Sequence, residues 1–568
     1  MTEQSKDLTP RRLRMSTTHT FDDLLTSLGT GKWNLFVIMT VCFYMNQAPF
    51  QSLSGAFLTP QVDHLCRIPE GAFPLLTNTS DNNTSVSSCS YLVRVAGDNL
   101  EERLCTHWDF DNSTYGSTLT SEFNLVCEGK FLRPLFNSIY LFGDLFGCPT
   151  NGWLSDKYGR KTMLAIGLVM YTLLSNCLSW LHNMSAILVV RFFQGLAQPT
   201  AIHSGYSLAM EVCQLRHRYV VGTLIFLPWA FSIMVSAGIA YLIRDWQWYM
   251  FIVSLPSLVF LPVLWFLDES PRWLILRGHH DRALQVLQRA ARWNSVKLPP
   301  KEELLAIMED IRRESSQDSK AHAQGLLSSL RLVAREITIF VRTKKMRKIS
   351  LSIYTNFLIS GMVYFGLSLG GDGFGTDPFV YMVLSGAVEI PGSIVIIPMV
   401  GRLGRRVSNI ICYLITGVVL LAISFTPSAS WMMTTLALLG KLTISAAYQI
   451  VFLHANELFP TEVRTRGTSN AGVFAQVGSS AAPFLVDSLR NVYSSAPSMV
   501  FSVASLVAAV VTFGLPETRD VGLPDTITHV ESHSLSPRRD ASSFQRKGTD
   551  QTDTEENLLS KRATVSLP

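Results

Sequence analysis

Twelve apolar segments leave this chain few ways to fold. They lie near residues 33–58, 132–154, 162–182, 184–210, 219–242, 247–267, 347–370, 379–401, 408–426, 431–454, 467–488 and 497–515. Each is about 20 residues long, the length at which an α-helix crosses the hydrocarbon core of a bilayer with its backbone polar groups satisfied internally. The composition agrees, with 48% hydrophobic and 16% charged residues and a mean hydropathy of +0.23. Such values suit an integral membrane protein better than a soluble globule. The formal charge of +5 is modest and its cations lie mostly beside apolar spans, so no nucleic-acid partner is implied. The expectation is an all-α membrane protein with twelve transmembrane helices and the lipid bilayer as its surroundings.

The loops orient those helices. Lys157, Arg160 and Lys161, then Arg216 and Arg218, then Arg402, Arg405 and Arg406, then Arg464 and Arg466 fall on one side. The opposite short loops offer little beyond Arg244 and Arg490. Basic loops mark the cytoplasmic side. This gives a cytoplasmic N-terminus at 1–32, with Arg11, Arg12 and Arg14 and no cleavable signal peptide. The first span follows at 33–58, an extracellular domain at 59–131, helices two to six at 132–267, a cytoplasmic helical linker at 268–346 and helices seven to twelve at 347–515. The tail, 516–568, is polar and rich in Ser, Thr and charge, so disorder is expected there. The extracellular domain holds Cys66, Cys89, Cys105 and Cys127, which allow three pairings that sequence does not choose among. It also holds glycosylation acceptor patterns at Asn78, Asn82, Asn83 and Asn112. Clustered cysteines and acceptors together indicate an oxidising compartment, in agreement with the charge argument.

The second half of the chain repeats landmarks of the first. In Gly152-Trp-Leu-Ser-Asp156-Lys157-Tyr-Gly159-Arg160-Lys161, a short polar turn separates two spans, and its acid is placed to cap the next helix. Gly404-Arg405-Arg406 is a partial second copy. Arg160 and Arg405, Arg191 and Lys441, Glu211 and Glu457, and Glu269 and Glu517 are each between 245 and 250 residues apart. Near-constant offsets describe two six-helix halves, with a substrate site at their pseudo-twofold interface, alternately open to each side. Asp156 with Arg160, and Glu211, Arg405, Glu457 and Arg464, then suit ion pairs that close the cytoplasmic side.

Further motifs narrow the family. They are Ser121-Glu-Phe-Asn-Leu-Val-Cys127, Arg191-Phe-Phe-Gln-Gly195, Glu269-Ser-Pro-Arg-Trp273, Val388-Glu-Ile-Pro391, Asn456-Glu-Leu-Phe-Pro-Thr461 and Pro516-Glu-Thr518. With the large loop after the first span, they resemble the major facilitator superfamily over about residues 20–525. Within it, the chain resembles the organic cation, organic anion and carnitine transporter family (solute carrier family 22).

Span seven places Tyr354, Phe357, Gly361 and Tyr364 on one helical face, with Gly361 leaving room between two rings. Packing is the alternative role for those rings. The resemblance implies that Phe357 and Tyr364 hold cavity aromatic positions, with Trp229 at another; aromatic faces attract organic cations. Glu389 is a mid-membrane acid, which either holds a cationic substrate or takes a proton, or else pairs with Lys441 or bonds backbone opened by Pro391. The resemblance also shows a departure. Gln476 stands where cation carriers have Asp and where anion and carnitine carriers have Arg, and Ser393 stands where many anion members have Lys. Gln476, Gln449 and Asn46 are expected to form a neutral polar wall. Asp144 is an unexpected acid in span two, either replacing the missing countercharge or pairing with a nearby cation.

The resulting expectation is a plasma-membrane carrier of small organic cations or zwitterions, working by alternating access. Its alternatives are an anion or carnitine carrier of the same family, and a non-transporting receptor on the same fold. No Walker sequence and no metal-ligand spacing occurs, so neither enzyme chemistry, a cofactor nor a metal is expected.

Overall fold

The computed structural model describes residues 21–519 and residue 531, apart from 70–71, 79–83, 96–98, 215, 218–220, 222–224, 226, 320–339, 341, 427–430, 461–462, 491–492 and 494. Among the described residues the chain makes twelve helical passes. The first half contains α1 (Lys32–Met45), α2 (Leu132–Tyr158), α3 (Arg160–Leu178), α4 (Met184–Val212), α5 (Leu227–Leu242) and α6 (Trp246–Phe260). The second contains α7 (Lys344–Leu369), α8 (Pro378–Leu403), α9 (Arg405–Ile423), α10 (Trp431–Leu458), α11 (Arg464–Arg490) and α12 (Ala496–Phe513).

Seven of these passes, α3, α6 with its continuation to Phe266, α7 to α10 and α12, are long and apolar enough to cross a membrane on length and composition alone. The others depart for physical reasons. Helix α5 is apolar but has 16 described residues. Helices α2 and α4 have ample length but carry Asn137, Asp144, Asn151, Arg191, Gln194 and Gln198, all buried. Polar groups inside a membrane are tolerated where they face protein or a cavity, so these helices line the interior. Helix α1 is broken, continuing as Ala48–Ser52 and Gly55–Leu58, with Pro49 at the start of the second piece. Freed carbonyls find new donors: Tyr171 Oη donates to Gln47 O (3.2 Å), Arg191 Nη2 to Gln51 O (3.1 Å) and Ser232 Oγ to Asn46 O (2.6 Å).

The halves meet where α2 packs on α11 and α5 packs on α8. At the extracellular end, the loop after α1 is itself β-structured, which an all-α expectation did not include. Strands β1 (His64–Cys66) and β5 (Trp108–Phe110) pair antiparallel, and β2 (Ala72–Asn78), β3 (Thr84–Val95) and β4 (Asn99–Leu104) form a second antiparallel sheet. Disulfides join Cys66 to Cys105 and Cys89 to Cys127, with Cα separations of 5.9 and 5.6 Å. Of the acceptor asparagines, Asn112 is exposed and Asn78 ends β2, while Asn82 and Asn83 lie outside the described residues.

At the opposite end, helices Phe21–Leu28, Pro271–Leu276, His280–Asn294 and Lys301–Ser319 bury one apolar cluster, including Leu24, Leu25, Leu28, Leu284, Leu287, Leu304 and Met308. Helix His280–Asn294 is tied to α1 by Asn294, which bonds Trp33 N (3.0 Å) and Asn34 (2.9 Å). Asp268 accepts from Trp33 Nε1 (3.2 Å) and pairs with Arg289 (2.6 Å).

Candidate functional site

The repeated turn is built by an acid far away in sequence. Gly159 adopts φ 103° and Gly404 φ 86°, conformations a side chain resists, so α3 and α9 start abruptly after them. A helix start leaves N–H groups without partners. Glu269 accepts from Lys161 N (2.9 Å) and Thr162 N (3.4 Å). Glu517 does the same for Arg405 N (2.8 Å) and Arg406 N (3.0 Å). Burial pushes the Glu517 carboxyl up, but the N–H groups of Arg405, Arg519 and Thr518 outweigh it and leave the carboxyl below its ordinary value. The cap is therefore Glu269, not Asp156; sequence matched Glu269 with Glu517 but gave neither a role.

Asp156 instead pairs with Arg160 (2.9 Å), whose Nε also meets Glu211 (3.1 Å). Arg405 pairs with Glu457 (2.8 Å), whose second oxygen accepts from Thr518 (2.5 Å). Arg464 donates to Phe459 O at 3.3 Å. Each of these ion pairs lies within one half. They fasten α2, α3 and α4 to one another in the first half, and α9 to α10 in the second. An ion pair that does join the halves lies at the extracellular end, between Arg133 of α2 and Asp487 of α11. A small open cleft beside it is lined by Gln61, Asn137 and Arg490 as well as this pair.

In mid-membrane a hydrogen-bonded chain crosses from one half to the other. Trp229 Nε1 of α5 donates to Tyr364 Oη of α7 (2.8 Å), and Tyr364 Oη donates to Glu389 Oε1 of α8 (2.7 Å). Glu389 also pairs with Lys441 Nζ of α10 at 3.1 Å. Lys441 donates to Ser368 Oγ and lies 3.2 Å from the Tyr364 ring centroid. Glu389, Lys441 and Tyr364 are all buried. Of the roles expected for Glu389, pairing with Lys441 is the one this conformation displays.

Other candidate residues are dispersed. Phe357 is buried against Tyr448 and Phe452, with ring centroids 6.0 and 6.5 Å away. Tyr354 stacks on Phe474 at 4.8 Å. Gly361 does not leave room between rings: a Cβ there would strike Ala475 O and lie 2.7 Å from Ser479 Oγ, so the glycine lets α7 and α11 approach closely. Gln476, Gln449 and Asn46 each bond a different partner. Gln449 donates to Ser393 Oγ (3.0 Å), Asn46 Oδ1 accepts from Ser232, and Gln476 Nε2 donates to Asp144 Oδ2.

That last contact bridges α11 and α2. Asp144 is buried and also accepts from Cys148 Sγ at 3.5 Å. Among the described residues no Lys, Arg or His stands within ion-pairing distance of it, which removes the expected pairing with a nearby cation. Asp144 lies as far before Gly159 as Glu389 lies before Gly404, so the two acids hold equivalent positions in the two halves. The offset of 245 residues that matches Arg160 with Arg405 was the signal available for this equivalence. Arg191, the counterpart of Lys441, bonds Gln194 Oε1 (3.2 Å), Gln51 O (3.1 Å) and Ser54 Oγ (3.2 Å), with Phe136 and Tyr140 rings against its guanidinium.

A family model described as "Sugar (and other) transporter" matches residues 106–526. The chain is 29% identical to the "Organic cation transporter protein" of Drosophila melanogaster, over 91% of this chain and 95% of that one. To "Solute carrier family 22 member 6" of Rattus norvegicus it is 30% identical, over 90% and 95%. To "Solute carrier family 22 member 2" of the same species it is 32% identical, over 79% and 78%. Among solved structures, the xylose transporter XylE from E. coli in an inward-open conformation shares the fold, with a TM-score of 0.56 at 14% identity over 88% of this chain and 98% of that one. The chain belongs to solute carrier family 22 of the major facilitator superfamily, a family of membrane transporters.

Proposed function

We propose that this protein carries small organic cations or zwitterions across the plasma membrane by alternating access, with both termini cytoplasmic and the β-structured loop glycosylated. The observation that carries the reading is the chain Trp229–Tyr364–Glu389. It places two aromatic side chains and an acid where the halves touch, at distances of 2.8 and 2.7 Å. Indole and phenol faces attract desolvated organic cations by about 0.5–2 kcal/mol each. The Glu389–Lys441 pair offers one charge of each sign, which suits a zwitterion. Names of relatives such as "Organic cation transporter protein" support the same substrate class.

Each block held by Arg160 or Arg405 moves as a body in this reading, and the extracellular end opens by parting Arg133 from Asp487. The deciding experiment is uptake of radiolabelled tetraethylammonium by cells displaying the protein. Expected are saturable uptake, no competition from small carboxylates, and loss of uptake in Glu389→Gln at unchanged surface level. Uptake of a carboxylate with none of tetraethylammonium would establish the anion reading instead.

A further inference from the structure

We infer that Asp144 is a second acidic subsite, at which an organic cation and a proton compete, so that the carrier exchanges one for the other. The inference rests on the carrier reading and adds the counter-transported ion.

A carboxylate in the membrane interior is costly unless its charge is balanced. Glu389 is balanced by a fixed protein cation, Lys441. Asp144 is not; its partners are an amide and a thiol. Its balancing charge must therefore be mobile, either a proton on the carboxyl or a cation beside it. The surroundings suit both. Gln476 Nε2 donates to the carboxylate, while Gln476 Oε1 is buried without a hydrogen-bond partner. Rotating that amide by half a turn would let Oε1 accept from a protonated carboxyl. The Tyr44 hydroxyl is likewise buried without a partner.

Every neighbouring element has a definable charge. Helix α1 presents Tyr44, and α3 presents Tyr171 behind Tyr140. Helix α4 presents Arg191, turned toward Gln51 and Ser54, and His203; α10 presents Tyr448 and α11 the uncharged Gln476. His203 Nε2 lies 3.6 Å from Cys148 Sγ, which lies 3.5 Å from Asp144 Oδ1. His203 is exposed at the protein surface, so this series runs outward from the acid.

The exchange balances simply. As the cation arrives, the carboxyl O–H bond breaks, the proton leaves to water, and the carboxylate keeps the electron pair and faces the cation. On the other side the cation leaves and a proton re-forms the O–H bond. One positive charge crosses in each direction.

Two measurements test this. In weakly buffered detergent solution, tetraethylammonium added to the purified wild type should release about one proton per cation bound, and apparent affinity should weaken by up to about tenfold per unit fall in pH. In cells, an acid interior should accelerate tetraethylammonium uptake. Asp144→Asn should lose both the proton release and the acceleration, and Asp144→Glu should restore them. Proton release in the wild type needs no variant to fold. Cation uptake with neither proton release nor gradient response would overturn the exchange and leave the carrier reading standing. So would an Asp144→Asn protein that keeps the gradient response. A wild type that neither binds nor moves any organic cation overturns both.

Discussion

In the C-terminal half Lys441 and Glu389 meet at 3.1 Å, whereas their counterparts in the N-terminal half, Arg191 and Asp144, take other partners. The backbone explains the divergence. Helix α7, which offers Lys441 partners, is continuous and contributes the Ser368 hydroxyl and the Tyr364 ring. Helix α1, its equivalent, is broken, and the break exposes Gln51 O and places Ser54 beside Arg191. A guanidinium with five donors in a planar fork satisfies such scattered acceptors better than an ammonium does. With Arg191 so engaged, Asp144 is left at the α2–α11 seam with Gln476 from the opposite half. A backbone break thus decides which acid keeps a protein counter-ion and which is open to a mobile one.

Breaking the intact pair should have the largest effect. Lys441→Met leaves Glu389 charged and unpaired in the interior, with an expected loss of about 3–5 kcal/mol. Thermal unfolding in detergent checks it, and the double variant with Glu389→Gln should recover most of the loss. Arg191→Met orphans no acid, so the same assay should show a smaller loss, about 1–3 kcal/mol from hydrogen bonds to neutral acceptors. Equal losses from the two would erase the contrast between the halves.

The seam itself is tested by Asp487→Asn, which breaks the Arg133 pair. A bias of about 1–2 kcal/mol toward extracellular opening corresponds to roughly a five- to thirtyfold population change. It should appear as faster labelling of Asn137→Cys by an impermeant thiol reagent in a background without reactive native thiols. Variants Glu269→Gln and Glu517→Gln should each cost about 0.5–2 kcal/mol, as lost helix caps do. Glu517 adds a pH signature. Its folded carboxyl lies below the ordinary value, so its stabilisation is complete above the ordinary carboxyl range and fades as pH falls through the lowered value. The gap between the melting temperatures of wild type and Glu517→Gln should therefore hold from neutral pH down to the ordinary carboxyl value of about 4.3 and close below it.

The fold was legible because its signals are long-range and redundant: twelve lengths suited to a bilayer, alternating basic loops and a repeat near 245 residues. The β-structure of the loop was hidden by its short strands and by cysteines that allow several pairings. Individual charges at the site were visible, since an acid or cation inside an apolar run stands out. Their partners were not, because partnership depends on helix rotation and on the α1 break. So Glu389 and Lys441 could be linked in advance, while Asp144 with Gln476 and Arg133 with Asp487 required the packed seam between the halves.

The central claim is that the acid without a protein counter-ion meets the substrate's charge. Its most direct test is the initial rate of tetraethylammonium uptake by cells carrying equal surface amounts of wild type and Asp144→Asn. The expected result is a loss of about tenfold or more in the variant, through weaker apparent affinity. Undiminished uptake with unchanged affinity would contradict it.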